Sequence, residues 1–267
     1  TRQRVFDAVR GGALLGVWGA DDRDKVTMEA AENGWRLTGA KRFASGLGLV
    51  QAALVTAARP GFEAQQLILV PVVDETRADA EAWTASGMRA TCSGRYDFAG
   101  VDVDGEALVG SPGDLLREPH FEGGTWRYAA AHLGGAEALC GAMIDRLQAA
   151  GRAEHPIQEM RIGAALRACE TARLWLETAA ARVEGDAELP ERAAAYALLA
   201  RESTQEACLE VIRLVEDALG TAAYDRRDPV ERMRRDLGLY VRQAAPDAKR
   251  SRAVRALIAA RGWLDGL

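Results

Sequence analysis

The sequence predicts an α+β fold, with a small antiparallel β barrel or sandwich followed by an antiparallel helical bundle. Three observations carry this expectation. Residues 11 to about 112 are glycine-rich and fall into short alternating or continuous apolar runs bounded by turn residues. No amphipathic helix of useful length separates those runs, which excludes a doubly wound nucleotide-binding fold. From about Thr125 onward the apolar period changes to 3.6 and holds over long stretches with short connections, the pattern of a bundle.

Three segments are expected: residues 1–10, 11–118 and 119–267. The opening "TRQRVFDAVRGG" reads as the last turn of a helix that belongs to something upstream, and a chain that starts at Thr1 is expected to have lost such a portion. In the β segment, "VTMEAAENGWRLTG" places Asn33-Gly34 as a two-residue hairpin turn between alternating runs. "AALVTAA" (52–58) and "QLILVPVV" (66–73) are β-type apolar runs. "GRYDFAGVDVDG" (94–105) alternates Tyr96, Phe98, Val101 and Val103 with polar residues, with a bulge expected at Gly100.

The helices follow in order. Trp126, Ala129, Leu133, Ala136, Cys140, Met143 and Leu147 form one stripe. A second helix starts with Pro156 at its first position and ends near Gly185. A third runs from Pro190 to Gly220, with Val211, Leu214, Val215 and Leu219 on one face. A fourth has Asp228 as N-cap, Pro229 at N1 and Glu231 at N3, close to a capping box. Asp247 is expected to cap a fifth that runs to about Trp263.

At 267 residues, 48% hydrophobic and 27% charged, the chain has the composition of a globular protein with real cores. No apolar run reaches the roughly 18 residues that span a bilayer, and no signal peptide is visible. A net charge of −5 argues against a nucleic-acid partner. Of the four cysteines, none forms a CxxC pair and three lie inside helical apolar patterns. The expectation is a reducing, cytoplasmic setting without disulfides or zinc. His120, His132 and His155 make no metal-ligand spacing.

Three stretches, in this order, narrow the reading: "GAKRFASGLGLVQAALVTAA" (39–58), "WTASGMRATCSGRYDFAGVDV" (83–103) and "DPVERMRRDLGLY" (228–240). Together they resemble the acyl-CoA dehydrogenase superfamily of flavoproteins across essentially the whole chain. The resemblance implies FAD, with FMN as the other flavin considered, a small-molecule substrate such as an acyl-CoA, and a homodimer or homotetramer. It also implies an all-helical N-terminal domain, of which residues 1–10 would be the end.

The resemblance assigns flavin-facing roles to matched positions. Lys41, Phe43 and Ser45 fit a strand in which an aromatic covers the ring and a hydroxyl meets its edge, where a hydrogen bond tunes the reduction potential. Thr91 and Ser93 fall in the segment that positions flavin or substrate; hydroxyls in an ordinary turn before a strand are the equally weighted alternative. Trp18 stands where the family carries a Thr, and is read as ring-packing or as core. In "ALGTAAY" (218–224) only Gly220 and Tyr224 survive of a glycine-rich motif that approaches the pyrophosphate of a neighbouring subunit's FAD. Arg152 is a loose counterpart of the pyrophosphate-binding Arg. Arg232, Arg235 and Asp236 match a family signature and are read as structural pairs.

The family's usual reaction needs a carboxylate to take the α-proton of a thioester while hydride passes to flavin N5. Counting from Tyr240, the position that carries it falls on Ala244, and an alternative position falls near Gly124. Glu122 is the nearest substitute, with Glu118 and Asp247 behind it; solvent-facing carboxylates are the plainer reading of all three. Three functions stay open: an acyl-CoA dehydrogenase-like oxidoreductase, a monooxygenase-type relative that uses reduced flavin and oxygen, and a non-catalytic assembly subunit.

Overall fold

The computed structural model describes residues 2–185 and 189–259. Two compact units divide the chain, Thr1–Leu115 and Leu116–Leu267.

The first unit opens with a helix, α1 (Arg2–Arg10), and continues in ten short strands. One sheet carries β1 (Leu15–Trp18), β5 (Ala52–Ala57), β6 (Gln66–Pro71) and β10 (Leu108–Val109) in the order β1-β5-β6-β10. A second carries β2 (Thr27–Ala31), β3 (Gly34–Thr38) and β9 (Val101–Val103), and a third has the order β4 (Ala40–Arg42), β8 (Arg95–Asp97), β7 (Ala78–Asp79). The sheets do not close into a barrel among the described residues. Nor is the unit wholly antiparallel, because β1 pairs with β5 in parallel, Leu15 opposite Ala52 through Trp18 opposite Val55. A parallel pair needs a long crossover. The chain supplies one in the segment that builds β2, β3 and β4 before it returns.

The β2–β3 hairpin exists, but its turn is shifted. Ala31 faces Gly34 in register, so Glu32 and Asn33 form the loop and Gly34 belongs to the strand. Gly34 has φ +145°, and a Cβ there would stand 2.2 Å from the Val103 carbonyl oxygen of β9, so only glycine lets β3 pair on both edges. Gly100, at φ 71°, is not a bulge within one ladder. It lies in the turn where the chain leaves the β8 sheet for the β9 sheet. The core gathers Met28, Leu37, Ile68 and Val70 around an aromatic group of Trp18, Tyr96 and Phe98, whose ring centroids lie 5.1–6.5 Å apart.

The second unit is helical: α2 (Thr125–Ala149), α3 (Pro156–Glu184), α4 (Pro190–Leu219), α5 (Pro229–Tyr240) and α6 (Pro246–Ala259). His155 caps α3 by accepting the Ile157 N–H at Nδ1, 3.3 Å, ahead of Pro156. Asp228 caps α5 through the Val230 N–H at 2.9 Å. Glu231 does not reach back to complete a capping box; its carboxylate pairs instead with Arg235 at 2.9 Å. The last helix begins one residue before Asp247, which sits in its first turn rather than at its cap. Trp263 lies outside the described residues.

The α2 stripe is buried at Ala129, Leu133, Ala136, Cys140, Met143 and Leu147, and it meets Cys169, Leu176, Val211 and Leu214 from α3 and α4. Central to this unit is α4, which packs against α2, α3, α5 and α6. Its stretch Ala193–Leu198 is buried without interruption, a pattern no two-sided helix shows. It ends at Gly220, whose φ of 61° and ψ of −135° lie in a region left to glycine.

Candidate functional site

In the β unit, the residues around β4 and the turn before β8 make a small surface with an aromatic part and a hydroxyl part. Phe43 follows β4 with φ 55° and is 55% exposed. A bulky residue holds that left-handed conformation only where its surroundings enforce it. The Trp83 ring meets Phe43 edge-on with centroids 6.0 Å apart, and the Arg42 guanidinium carbon lies 4.7 Å from the Phe43 centroid.

Ser45, two residues on, is exposed, and its Oγ lies 2.7 Å from Oγ of the buried Ser93. Thr91 Oγ1 lies 2.7 Å from the same Ser93 oxygen and donates to the Met88 carbonyl at 2.6 Å. With the Thr91 proton committed to Met88, Ser93 donates to Thr91 and Ser45 donates to Ser93. Lone pairs of Ser45 are then left facing outward. Phe43, Ser45, Thr91 and Ser93, read separately from the sequence, come together here.

Trp18 stands apart from that surface. It is 2% exposed, belongs to the aromatic core, and donates its Nε1–H to the Ser45 carbonyl at 3.0 Å. It therefore braces the backbone that presents Ser45. Lys41 is wholly buried, and its ammonium meets Asp21 at 2.5 Å and Thr56 Oγ1 at 2.8 Å. Burial pulls the Lys41 pKa down against the opposing pull of Asp21. This is a strut between β4 and the segment after β1.

In the helical unit, the sequence candidates lie on the outside. Arg152 and Gly220 are exposed, as is Thr221, while Ala223 is buried. Ala244 is exposed in the segment between α5 and α6. Glu122 pairs with Arg252, and the Glu118 carboxylate accepts the backbone N–H groups of Glu122 and Gly123 at 3.0–3.2 Å. The nearest candidate for a base, Glu122, is thus held in an ion pair at the entrance to α2.

A second group in this unit was not singled out from the sequence. Tyr128 and His132 sit one turn apart on α2. Arg201 reaches them from the buried stretch of α4, and Tyr240 closes α5 against them. His132 and Arg201 are 1% and 2% exposed. The His132 ring lies 5.4 Å from that of Tyr128 and 4.3 Å from that of Tyr240. Both His132 ring nitrogens, the Tyr128 hydroxyl, and Nε and Nη1 of Arg201 have no hydrogen-bond partner among the described residues. Burial first, and then the Arg201 charge, lower the His132 pKa to about 4, so the imidazole is neutral at pH 7. Burial raises the Tyr128 pKa, opposed by Arg201, which comes close to the phenol without meeting hydrogen-bond geometry. The i,i+4 spacing of Tyr128 and His132 was the signal available in the sequence.

Comparison with known proteins fits this organisation. Residues 127–244 match the family described as acyl-CoA dehydrogenase, C-terminal domain. A search of curated proteins finds no match. Among solved structures, FMN-bound TdsC from Paenibacillus sp. is 21% identical, with a TM-score of 0.80 over 96% of this chain and 73% of that one. XiaF from Streptomyces sp., in complex with FADH2 and glycerol, is 18% identical, with a TM-score of 0.77 over 96% of this chain and 72% of that one. The HsaA monooxygenase from M. tuberculosis is 18% identical, with a TM-score of 0.70 over 90% of this chain and 67% of that one. At such identities the likeness shows the fold. Residues 127–244 of the helical unit thus match the C-terminal domain of acyl-CoA dehydrogenases, and the chain as a whole has the fold of these structures.

Proposed function

We propose that the chain is a flavin-dependent monooxygenase built on the acyl-CoA dehydrogenase fold, rather than a dehydrogenase of acyl thioesters. One observation carries this reading: where α-proton abstraction needs a free carboxylate, the chain offers an exposed Ala244, and nearby Glu122 is engaged by Arg252. Oxygenation by a reduced flavin needs no such base. The similar structures support the same choice, since TdsC is described as a dibenzothiophene monooxygenase and HsaA as a monooxygenase.

The β-unit surface fits a flavin. Phe43 and Trp83 offer an aromatic face, and the hydroxyl chain of Thr91, Ser93 and Ser45 presents the Ser45 oxygen as an acceptor to a ring edge. The counterpart of the pyrophosphate site is weaker, because Thr221 and Ala223 replace glycines and Arg152 lies exposed without an assigned partner. FMN, which has no pyrophosphate, suits the chain as well as FAD does. A reduced flavin bound there would supply two electrons, so that one oxygen atom of O2 enters the substrate and the other leaves as water. The chain's own part is to orient the ring and, through Ser93, to hold the Ser45 hydroxyl with its lone pairs toward the ring edge.

The test is direct. The purified chain is titrated with FMN and with FAD, then supplied with reduced flavin, 18O2 and an aromatic probe such as indole, which TdsC binds. Flavin binding with 18O in the product supports the proposal. Bleaching of bound flavin by acyl-CoA without added reductant overturns it in favour of a dehydrogenase. Failure to bind either flavin overturns both and leaves the assembly-subunit reading.

A further inference from the structure

We propose that the helical unit contains a recognition site for the acidic group of a small aromatic substrate, with Arg201 as the residue that binds it. The inference names a substrate class for the preceding function and rests on that reading only for the chemistry that follows binding.

The starting point is an electrostatic anomaly. A guanidinium removed from water is costly unless a carboxylate or other anion and its hydrogen bonds replace the solvent. Arg201 is 2% exposed, and Nε and Nη1, one donor from each of the two edges by which a guanidinium grips a carboxylate, have no partner among the described residues. Two carboxylates of this unit are already taken: Glu202, next in the chain, pairs with Arg250, and Glu122 pairs with Arg252. Apart from Glu122, which acts on both Tyr128 and Lys249 but is paired with Arg252, the groups named around Arg201 are neutral or positive. His132 and Tyr128 are uncharged at pH 7, and the half-buried Lys249 of α6 lies within electrostatic range, so that Arg201 lowers its pKa after burial does.

The second element is access. A cavity of about 360 Å3 opens between α4 and α6; its lining is largely apolar, with Phe121, Leu198 and Ala253 among it, and also carries Glu118, Glu122, Glu191 and Arg252. Ala194, Leu198 and Arg201 follow the i, i+4, i+7 spacing that places three side chains on one helix face. Lys249, Ala253 and Ala256 repeat the pattern on α6. The apolar cavity and the basic pair therefore share the same two helix faces. A largely apolar cavity with an unpaired cation one turn further along α4 suits a molecule with an aromatic body and one anionic end. The rings of Tyr128 and Tyr240 flank His132 beside Arg201.

The experiment uses the full chain and two probes of one size, benzoate and benzyl alcohol, followed by calorimetry and by the ring signals of His132 in NMR. Benzoate is expected to bind at least about tenfold tighter than benzyl alcohol and to move the His132 signals. Arg201→Met is expected to weaken benzoate about 10- to 100-fold, with Arg201→Lys in between. Equal binding of the two probes, no binding of benzoate at millimolar concentration, or undiminished binding in Arg201→Met overturns the proposal. If Arg201→Met does not fold, Tyr128→Phe and Lys249→Met decide: each should weaken benzoate about threefold or more, and full affinity in both overturns it. Flavin titration of the same sample separates the two readings. Benzoate selectivity without flavin binding sinks the monooxygenase and leaves the anion site; flavin binding without benzoate selectivity does the reverse.

Discussion

His132 meets Tyr240 edge-on, with ring centroids 4.3 Å apart and planes at 88°. The contact ties α2 to the end of α5 and seals one side of the imidazole. Tyr128 lies against another side, Arg201 approaches from α4, and the Cys208 thiol donates to the His132 carbonyl at 3.5 Å. No acid faces the ring, so a proton there is unwelcome.

Acid sensitivity follows. The folded-state pKa of His132, about 4, lies below its ordinary 6.5, so the unfolded chain takes up the proton first. The contribution of this residue is fully present above about pH 6.5 and is lost as pH falls toward 4. Between pH 7 and pH 5 it should cost on the order of 2 kcal/mol. Urea denaturation at both pH values should show this loss in the native protein and a clearly smaller loss in His132→Gln. An equal loss in both would place the acid sensitivity elsewhere.

Lys41 and Asp21 form the buried counterpart to this cluster, a charge with its partner in place. Lys41→Met leaves Asp21, which keeps 19% side-chain exposure, without its ammonium, and should destabilise the β unit by about 2–4 kcal/mol. Lys41→Met combined with Asp21→Asn should recover part of that, because the stranded charge is gone. A double variant no more stable than Lys41→Met, measured by thermal unfolding, would mean that the Thr56 bond and packing carry the strut.

The contrast between these two buried cations marks what the sequence made legible. Lys41 sits in a motif that marked its strand, though not its burial or its pairing with Asp21. Arg201 sits in an alanine-rich helix, where a lone charge reads as a solvated face, and only the helices packed on both sides of α4 bury it. The 3.6 period and the N1 prolines located α2 to α5, since those signals are local. Strand partners are not local: nothing in "LLGVW" says that β1 runs parallel to β5. Likewise Asn33-Gly34 reads as the hairpin turn until β9 is seen to need Gly34 inside the strand. Phe43, Ser45, Thr91 and Ser93 were found through the family resemblance; the hydroxyl chain that joins three of them required coordinates.

That chain predicts a division of roles. Ser45 is exposed, so Ser45→Ala should leave folding intact and weaken flavin binding roughly 3- to 20-fold if its hydroxyl meets the ring edge. Ser93→Ala should cost about 1 kcal/mol of stability through the loss of two bonds, and should also weaken flavin because Ser45 loses its anchor. Fluorescence titration with FMN measures both. Flavin affinity unchanged in Ser45→Ala would remove the hydroxyl surface from the flavin site.

Ala244 offers the sharpest separation of dehydrogenase from monooxygenase. A dehydrogenase scaffold that had lost only its base would still bind an acyl thioester, and a carboxylate restored at residue 244 would exchange the α-protons of the bound ligand with solvent. The structure gives that carboxylate little help. Residue 244 is exposed, so a Glu there would keep an ordinary pKa rather than one raised toward neutrality by burial. Neighbouring Ala245, at φ 50°, fixes a tight backbone that leaves the position little room to turn inward. Ala244→Glu is therefore expected to fold normally and to show neither α-deuterium exchange of a short-chain acyl-CoA in D2O nor bleaching of bound flavin. It should keep oxygen-dependent turnover of added reduced flavin within about threefold of the native chain. Exchange in the variant but not in the native protein would mean that a thioester pocket persists, and the substrate class would then be an acyl-CoA.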